Sequence, residues 1–294
     1  MAVKKFDKYI LRGKSKGQSL KKASPAVTAL LDGSQGWSGI HLRIKWQYIS
    51  GPVTLMEKPH THDFEEFLIF LGNKPEDYKD FSAEIEISLG KEGETRLIDA
   101  ASIVCLPKGL IHGPLKVTKV GKPILFADIY LSPEYKTKPA EIKPIARERG
   151  KSKYAKYILK EPQGEPRPLN TEAWGVGINE KILGADLKFN CNFNFFAMLG
   201  SHVLPDPPHD HACDEFLFLI PASYDNWPAL GGEVEIGMGD EWEKQTITTA
   251  AVVCLPKGVK HCPVYMKVVD KPFYWGHVLP AASYASSKYT GEAL

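Results

Sequence analysis

Short segments in which apolar residues either alternate with polar ones or follow one another without a break recur along this chain. Residues 83–88 and 232–237 alternate with a period of two, whereas residues 67–71 and 216–220 are continuously apolar. A period of two predicts a strand with one buried face, and a short apolar run bounded by turn formers predicts a fully buried strand. The hydrophobic pattern therefore indicates a protein built mainly from short β-strands.

The remaining segments follow the same pattern. Residues 102–106 are apolar and end at a Pro-Lys-Gly turn, and residues 124–130 and 273–279 each predict a further strand. Helical periodicity is weak and predicts only short peripheral helices, one of them over residues 24–31. Many short strands at regular spacing predict an all-β sandwich or barrel.

The pattern occurs twice because the chain contains an internal repeat. A His-x-His pair followed by Glu-Phe-Leu begins at His60 and again at His209, an offset of 149 residues. His112 and His261 are related by the same offset. A repeat of this length indicates a duplicated domain rather than a solenoid.

The repeat predicts two domains, residues 1–140 and residues 141–294. The same offset relates Tyr135 to Tyr284 near the end of each unit. We expect the join near residues 138–153, which are charged and poor in apolar side chains, as is typical of a linker.

Composition and charge narrow the classes of function. The 37 Lys and Arg residues nearly balance the 35 Asp and Glu residues, and this net charge of +2 argues against an extended nucleic-acid interface. No run of about 18 apolar residues is present, and the first residues lack the apolar segment of a secretory signal. Five cysteines without CxxC spacing suit reduced thiols. We expect a cytoplasmic protein that binds neither nucleic acid nor a membrane.

The histidines of the repeat have the spacing of metal ligands. In a strand, residues i and i+2 face the same side, so each His-x-His presents two imidazoles together. The glutamate four residues later would lie about 13 Å away on a straight strand, so the chain must bend for it to reach the same ion. A third histidine follows each Pro-Lys-Gly turn. The expected ligands are His60, His62, Glu66 and His112 in the first half, and His209, His211, Glu215 and His261 in the second.

These residues resemble the two sequence motifs of the cupin superfamily. The first motif is His-x-His, three or four residues, then Glu, and the second is Pro-x-Gly-x-x-His. Both motifs occur in both halves, the second at Pro107 to His112 and at Pro256 to His261. The chain is therefore similar to a bicupin, a protein of two tandem antiparallel jelly-roll barrels.

The resemblance implies a divalent transition metal in each half. Three imidazoles and one carboxylate without a thiolate suit Mn or Fe(II), with Zn, Ni and Co as alternatives. In an octahedral ion these four ligands leave two adjacent positions open, and an open position is typical of a catalytic site. A small substrate could bind there through two oxygen atoms.

The two ligand sets are the same, so a difference in activity must come from neighbouring residues. If the last strand of each half turns one face inward, it brings His277 or Asp128 close to the metal as an acid or base. Tyr265 lies four residues beyond His261 and could donate to a developing oxyanion. We expect the second half to be catalytic, through Glu215, His277 and Tyr265.

The resemblance favours an enzyme over a binding protein. We expect a divalent-metal-dependent hydrolase or lyase that cleaves a carbon–carbon bond in a small enolisable, oxygen-rich substrate, of the 1,3-dicarbonyl or cyclic polyketone type. Hydrolytic ring opening is one form of that reaction. The alternatives are a metal-dependent dioxygenase, decarboxylase or sugar isomerase, or a non-catalytic bicupin that binds a small ligand. We expect a small molecule as the binding partner, and a homo-oligomer.

Overall fold

The computed structural model describes residues 4–14, 26–33, 37, 39–77, 79–143, 152–161, 173–178, 187–204, 207–282 and 284–288. Within these residues the protein is all-β, and its helices are short 3-10 helices, among them Asp7–Tyr9, Pro75–Asp77 and Ala155–Tyr157. This confirms the expected all-β class with short peripheral helices. None of the described helices is long and apolar enough to cross a membrane.

The strands are numbered here in chain order. The first twelve are β1 (Ile10–Arg12), β2 (Val27–Asp32), β3 (Arg43–Ile49), β4 (Val53–Met56), β5 (His60–Thr61), β6 (Glu66–Gly72), β7 (Ala83–Leu89), β8 (Glu94–Ile98), β9 (Ser102–Leu106), β10 (His112–Val120), β11 (Ile124–Tyr130) and β12 (Lys138–Pro139). The next twelve are β13 (Ile158–Lys160), β14 (Ala173–Ile178), β15 (Asn192–Met198), β16 (His202–Leu204), β17 (His209–Asp210), β18 (Glu215–Pro221), β19 (Ala229–Met238), β20 (Glu243–Thr249), β21 (Ala251–Leu255), β22 (His261–Val269), β23 (Phe273–Leu279) and β24 (Ser287–Lys288).

The strands form four six-stranded sheets, two in each half of the molecule. Inner sheet 1 has the order β13-β9-β6-β11-β3-β2, and outer sheet 1 has the order β12-β5-β10-β7-β8 with β4 beside β10. Inner sheet 2 has the order β1-β21-β18-β23-β15-β14, and outer sheet 2 has the order β20-β19-β22-β17-β24 with β16 beside β22. Neighbouring strands are antiparallel, as in a jelly roll.

The inner sheets are buried on both faces, because each packs on its own outer sheet and on the other inner sheet. Every residue of β6, β18 and β23 is buried, whereas β7 of outer sheet 1 alternates between buried and more exposed positions. Across the contact between the inner sheets, the ring centroids of Trp46 and Phe218 lie 5.0 Å apart, and those of Tyr48 and Trp227 lie 5.9 Å apart. One apolar core therefore joins the two halves.

Each half also contributes a short strand to the inner sheet of the other half. β1 pairs with β21, with Ile10 opposite Val253, and β13 pairs with β9, with Ile158 opposite Val104. The two inner sheets are therefore each completed by a segment from elsewhere in the chain. The domain boundary between residues 140 and 141 stays a prediction, and residues 144–151 of the expected linker lie outside the described residues.

The helix expected over residues 24–31 is wrong for its described part. Val27–Asp32 is a strand, and it pairs with β3 at the edge of inner sheet 1. The first two residues of the expected helix lie outside the described residues. Val27 and Leu31 are buried, and β-branched side chains such as valine favour a strand once a partner strand is available.

We expect the core between the inner sheets to contribute strongly to stability. Replacing Trp46, which is 1% exposed, by alanine should lower the free energy of unfolding by about 3–5 kcal/mol, because it leaves a large cavity. The measurement is denaturant unfolding followed by circular dichroism. The matched control is Leu97→Ala, at a side chain that is 55% exposed, which should change stability by less than about 0.5 kcal/mol. Equal unfolding midpoints for the two variants would contradict the interpretation.

Candidate metal centres

In the first half, the chain bends where the sequence analysis required it to bend. His60 of β5 pairs with His112 of β10 in outer sheet 1, whereas Glu66 begins β6 in inner sheet 1. The chain crosses between the sheets after His62, and this brings His62 Nε2 within 3.0 Å of Glu66 Oε2. His112 Nε2 lies 3.3 Å from the same oxygen. The Gly109 N–H donates to the His62 carbonyl oxygen at 2.9 Å, so the Pro-Lys-Gly turn is held beside this crossing.

The second half repeats this geometry. His209 of β17 pairs with His261 of β22, and Glu215 begins β18 in inner sheet 2. Glu215 Oε2 lies 3.0 Å from His261 Nε2 and 3.4 Å from His211 Nε2. The Gly258 N–H donates to the His211 carbonyl oxygen at 3.0 Å. The two halves therefore reach the same arrangement through the same turn.

All but one of the expected ligands lie in two buried clusters. The ligand atoms of His209, His211, Glu215 and His261 lie within 4.8 Å of one another, and so do those of His62, Glu66 and His112. The remaining residue, His60, is half-buried beside the first cluster, with its ring centroid 4.4 Å from that of His112. Its Nε2 lies 3.3 Å from the hydroxyl of Tyr135. His60 is thus next to its cluster rather than within it.

Each of the six histidines places its Nδ1 against a backbone carbonyl oxygen. The carbonyl partners belong to Lys58 for His60 (3.0 Å), Phe64 for His62 (2.7 Å), Leu110 for His112 (2.9 Å), Pro207 for His209 (2.7 Å), Ala285 for His211 (2.7 Å) and Val259 for His261 (3.0 Å). A carbonyl oxygen only accepts, so Nδ1 carries the proton and the Nε2 of the neutral ring keeps its lone pair. Histidine ligands of metals are commonly oriented in this way.

The donor set fits a divalent metal ion. Among the described residues, His112 Nε2, His211 Nε2 and Glu215 Oε2 are buried without a hydrogen-bond partner. Buried polar atoms of this kind are rare unless water, an ion or a strained function accounts for them. Imidazole nitrogen and carboxylate oxygen are ligands that Mn, Fe(II) and Zn accept.

Protons and a metal ion would compete for these groups. Burial opposes the ionisation of Glu66, but the nearby His112 and His62 side chains outweigh it and lower the pKa of Glu66 below its ordinary value. Glu215 is affected in the same way by the histidines around it, and its pKa is lowered well below the ordinary value. Metal ligands must be deprotonated, so metal binding at these clusters should weaken as the pH falls.

The first cluster has a buried acid beside it. Burial, and then the negative charge of Glu66, raise the pKa of Asp128 well above its ordinary value. Lys45 stands opposite Asp128 in the register of β3 and β11, and its positive charge opposes that rise. The shift favours the neutral carboxylic acid form of Asp128. It lies on the same inward face of β11 as Phe126, which packs in the core of the first half.

The second cluster has a histidine in the equivalent position. His277 is related to Asp128 by the same offset of 149 residues, and its Nδ1 lies 2.9 Å from Glu215 Oε1. Its Nε2 lies 2.8 Å from the side-chain nitrogen of Asn194. An amide nitrogen only donates, so His277 Nε2 accepts this hydrogen bond. His277 Nδ1–H therefore donates to Glu215 and orients that carboxylate. The expected catalytic role of Glu215 and His277 stays a prediction.

The structure does not bring Tyr265 to the cluster. Val264 and Met266 point into the core of the second half, whereas Tyr265 lies on the other face of β22 and is 36% exposed. Cys262 has a φ of 73°, and the pairing of β22 with β19 shifts register beside it. The alternation of faces therefore shifts by one residue directly after His261. For this reason Tyr265 does not face the same side as His261, although the two are four residues apart.

Two tyrosines next to the clusters, Tyr135 and Tyr284, lie outside the two sequence motifs and were not among the expected site residues. The hydroxyl of Tyr284 lies 2.9 Å from His209 Nε2, as the hydroxyl of Tyr135 lies close to His60 Nε2. Burial and the charge of Glu66 raise the pKa of Tyr135, so this group stays a hydroxyl and can donate. The offset of 149 residues that relates the two tyrosines is the signal that could have identified them.

A cavity of about 470 Å³ opens beside the first cluster. His60, Asp128 and Tyr135 line it, together with the side chains of Lys45 and Lys58. A small molecule in this cavity would therefore contact a histidine beside the cluster, a carboxyl group with a raised pKa, a phenol and two ammonium groups.

Comparisons with known proteins identify the fold. Neither a protein-family model nor a curated protein sequence matches this chain. A point mutant of Bacillus subtilis oxalate decarboxylase matches at a TM-score of 0.63 and 10% identity, over 94% of this chain and 79% of its own. The formate complex of Lactobacillus farciminis oxalate decarboxylase matches at 0.61 and 11% identity, over 98% of this chain and 89% of its own. Oxalate decarboxylases are bicupins, so the expected bicupin jelly-roll fold is confirmed.

Metal analysis tests the two clusters. Protein reloaded with Mn(II) and desalted should hold about two metal ions per chain by mass spectrometry. Replacing both His60 and His62 by alanine should lower this to about one, because the two remaining ligands hold a divalent ion poorly. The control is His41→Ala, an exposed histidine outside both clusters, which should retain about two ions. Unchanged metal content in the double variant would remove the first-half assignment.

Proposed function

We propose that this chain is a divalent-metal-dependent bicupin enzyme that cleaves a carbon–carbon bond in a small oxygen-rich acid, with Mn(II) or Fe(II) as its metal. The observation that carries the proposal is the first cluster, where imidazole lone pairs and a carboxylate converge next to a cavity that also holds a buried acid. The fold neighbours support the reaction class. They are oxalate decarboxylases, one of them studied through its Mn(II) centres and another as a formate complex.

The charges around the cavity favour an anionic substrate. Lys45 and Lys58 line it with the carboxyl groups of Glu57 and Asp128, and the raised pKa of Asp128 favours its neutral form, so positive charge is in excess. The residues related to these lysines by the repeat are Asn194 and Pro207, which carry no charge. A carboxylate substrate would form ion pairs with the lysines, and these are among the stronger hydrogen bonds available to a protein.

The chain supplies the groups that a decarboxylation needs. A divalent metal held by the first-half histidines and Glu66 would polarise a substrate oxygen. Lys45 would orient a substrate carboxylate by ion pairing. When that carboxylate leaves as carbon dioxide, the bonding electron pair stays on the neighbouring carbon atom. Asp128 Oδ then donates the proton which that atom requires, and solvent returns the proton to Asp128.

This proposal places the chemistry in the first half. The sequence favoured the second half through Glu215, His277 and Tyr265. His277 does reach Glu215, but as a donor that orients the carboxylate, and Tyr265 lies on the outer face of its sheet. The neutral acid Asp128 and the cavity both support the first half instead.

Hydrolytic ring opening of a 1,3-dicarbonyl or cyclic polyketone stays the alternative form of carbon–carbon cleavage. It also leaves an enolate that must be protonated, so Asp128 would serve it equally. A dioxygenase would use the same metal ligands and would consume oxygen.

A substrate screen on Mn(II)-loaded protein tests the reaction class. The substrates are oxalate, malonate, 2-oxo and 3-oxo carboxylates, and cyclic 1,3-diketones. We expect carbon dioxide from a carboxylate without net consumption of dioxygen, measured by product NMR and an oxygen electrode. Oxygen uptake equal to product formation would indicate a dioxygenase, and a ring-opened acid without carbon dioxide would indicate a hydrolase.

A matched pair of variants tests which half is catalytic. Asp128→Asn should lower kcat by on the order of 10²- to 10⁴-fold, because the amide cannot donate a carboxylic proton. His277→Gln, at the equivalent position of the second half, should leave kcat within about tenfold of the unaltered protein, because there the side chain only orients Glu215. Metal content is measured in both, to separate lost chemistry from lost metal. The reverse result would return the catalytic role to the second half.

A further inference from the structure

A second cavity, of about 300 Å³, lies on the exposed face of outer sheet 2. Trp242 and Tyr265 supply its aromatic lining, and Lys244, Lys267 and Glu235 supply its charged lining. None of these five residues belongs to either metal cluster. The volume is at the lower end of the range for small-molecule pockets.

The backbone at Trp242 is unusual for a tryptophan. Its φ is 48°, in the left-handed region where a side chain is disfavoured and a bulky one is an outlier. The repeat relates Trp242 to Gly93, whose φ is 60°. The first half therefore meets the same backbone requirement with glycine, whereas the second half places an indole there.

The same replacement occurs a second time at this cavity. Cys262, which also lines it, has a φ of 73°, and the repeat relates it to Gly113 with a φ of 88°. Trp242 and Cys262 are two of the three described non-glycine residues with positive φ. Unfavourable backbone conformations of this kind persist where the surroundings impose them, and they concentrate at ligand sites.

The two lysines of the lining are also particular to the second half. Glu235 is 8% exposed and lies 2.6 Å from Lys267 Nζ and 3.6 Å from Lys244 Nζ. Two ammonium groups thus face one carboxylate, and the excess charge at the cavity is positive. The repeat relates these lysines to Thr95 and Thr118, which are uncharged.

We propose that this cavity binds a small planar anion, of the aromatic carboxylate class, at a site separate from both metal clusters. The ring of the ligand packs against Trp242 and Tyr265, and its carboxylate accepts hydrogen bonds from Lys244 and Lys267. The proposal is independent of the reaction proposed above, because it uses no residue of the first half.

Calorimetric titration of the full-length, Mn(II)-loaded protein with benzoate tests the site. We expect a Kd on the order of 1 mM or below, and binding about tenfold weaker for cyclohexanecarboxylate, which has the same charge but no planar ring. Lys267→Met and Trp242→Asn should each weaken benzoate binding by about tenfold. Asparagine tolerates the left-handed backbone, so the melting temperature of Trp242→Asn should not fall. The control is Lys119→Met, at a lysine that pairs with Glu84 on outer sheet 1, which should not change the affinity.

Four results would overturn the proposal. They are no binding of benzoate up to about 10 mM, equal affinity for the two carboxylates, unchanged affinity in both cavity variants, and binding that is lost in Glu66→Gln but kept in Lys267→Met. The last result would place the anion at the first metal cluster. A lower melting temperature in Trp242→Asn with unchanged affinity would assign the indole to packing alone.

Discussion

Burial of both faces of the two inner sheets is the constraint on which the rest of the molecule depends. Removing apolar surface from water is the dominant favourable term in folding, and here it joins the halves through a single core. The Tyr274 hydroxyl also donates across that contact to the Gly72 carbonyl oxygen at 3.1 Å. Glu66 and Glu215 are the first residues of strands in these sheets, so rigid, dry surroundings hold their carboxylates. A buried carboxylate requires a partner of opposite charge, and the histidine nitrogen atoms that converge on it favour a metal cation as that partner.

The two halves share the same candidate ligand residues and differ in the side chain next to the glutamate. In the first half Asp128, whose pKa is raised, lies beside Glu66 with Lys45 opposite it, so this site combines a carboxyl group that favours its neutral form with positive charge. In the second half His277 donates to Glu215 and accepts from Asn194, which fixes the orientation of that carboxylate. The proton transfer that we propose for the first half would therefore depend on residues around the candidate ligands, not on the ligands themselves.

Divergence of the repeat also extends to the backbone. Gly90 in the first half and Gly239 in the second both have positive φ. A side chain at Gly90 would collide with the ring of Tyr154, and one at Gly239 with the ring of Phe6. Glycine is retained at these equivalent positions because both the conformation and the close approach require it. Trp242 keeps the positive φ of its equivalent, Gly93, although it is not a glycine. This difference lies at the cavity for which we propose a ligand in the second half.

The sequence by itself determined the fold class, the duplication and a set of candidate metal ligands, seven of which the structure places in two clusters. Alternation of apolar residues is a local property, and a fixed offset between motifs is visible without a structure. Only the tertiary structure decided that Lys45 stands opposite the buried Asp128, that Tyr265 lies on an outer face, and that Val27–Asp32 is a strand. These outcomes depend on which distant strands pair and where their register shifts. A change of one residue in register moves a side chain to the opposite face, and nothing in the local pattern records it.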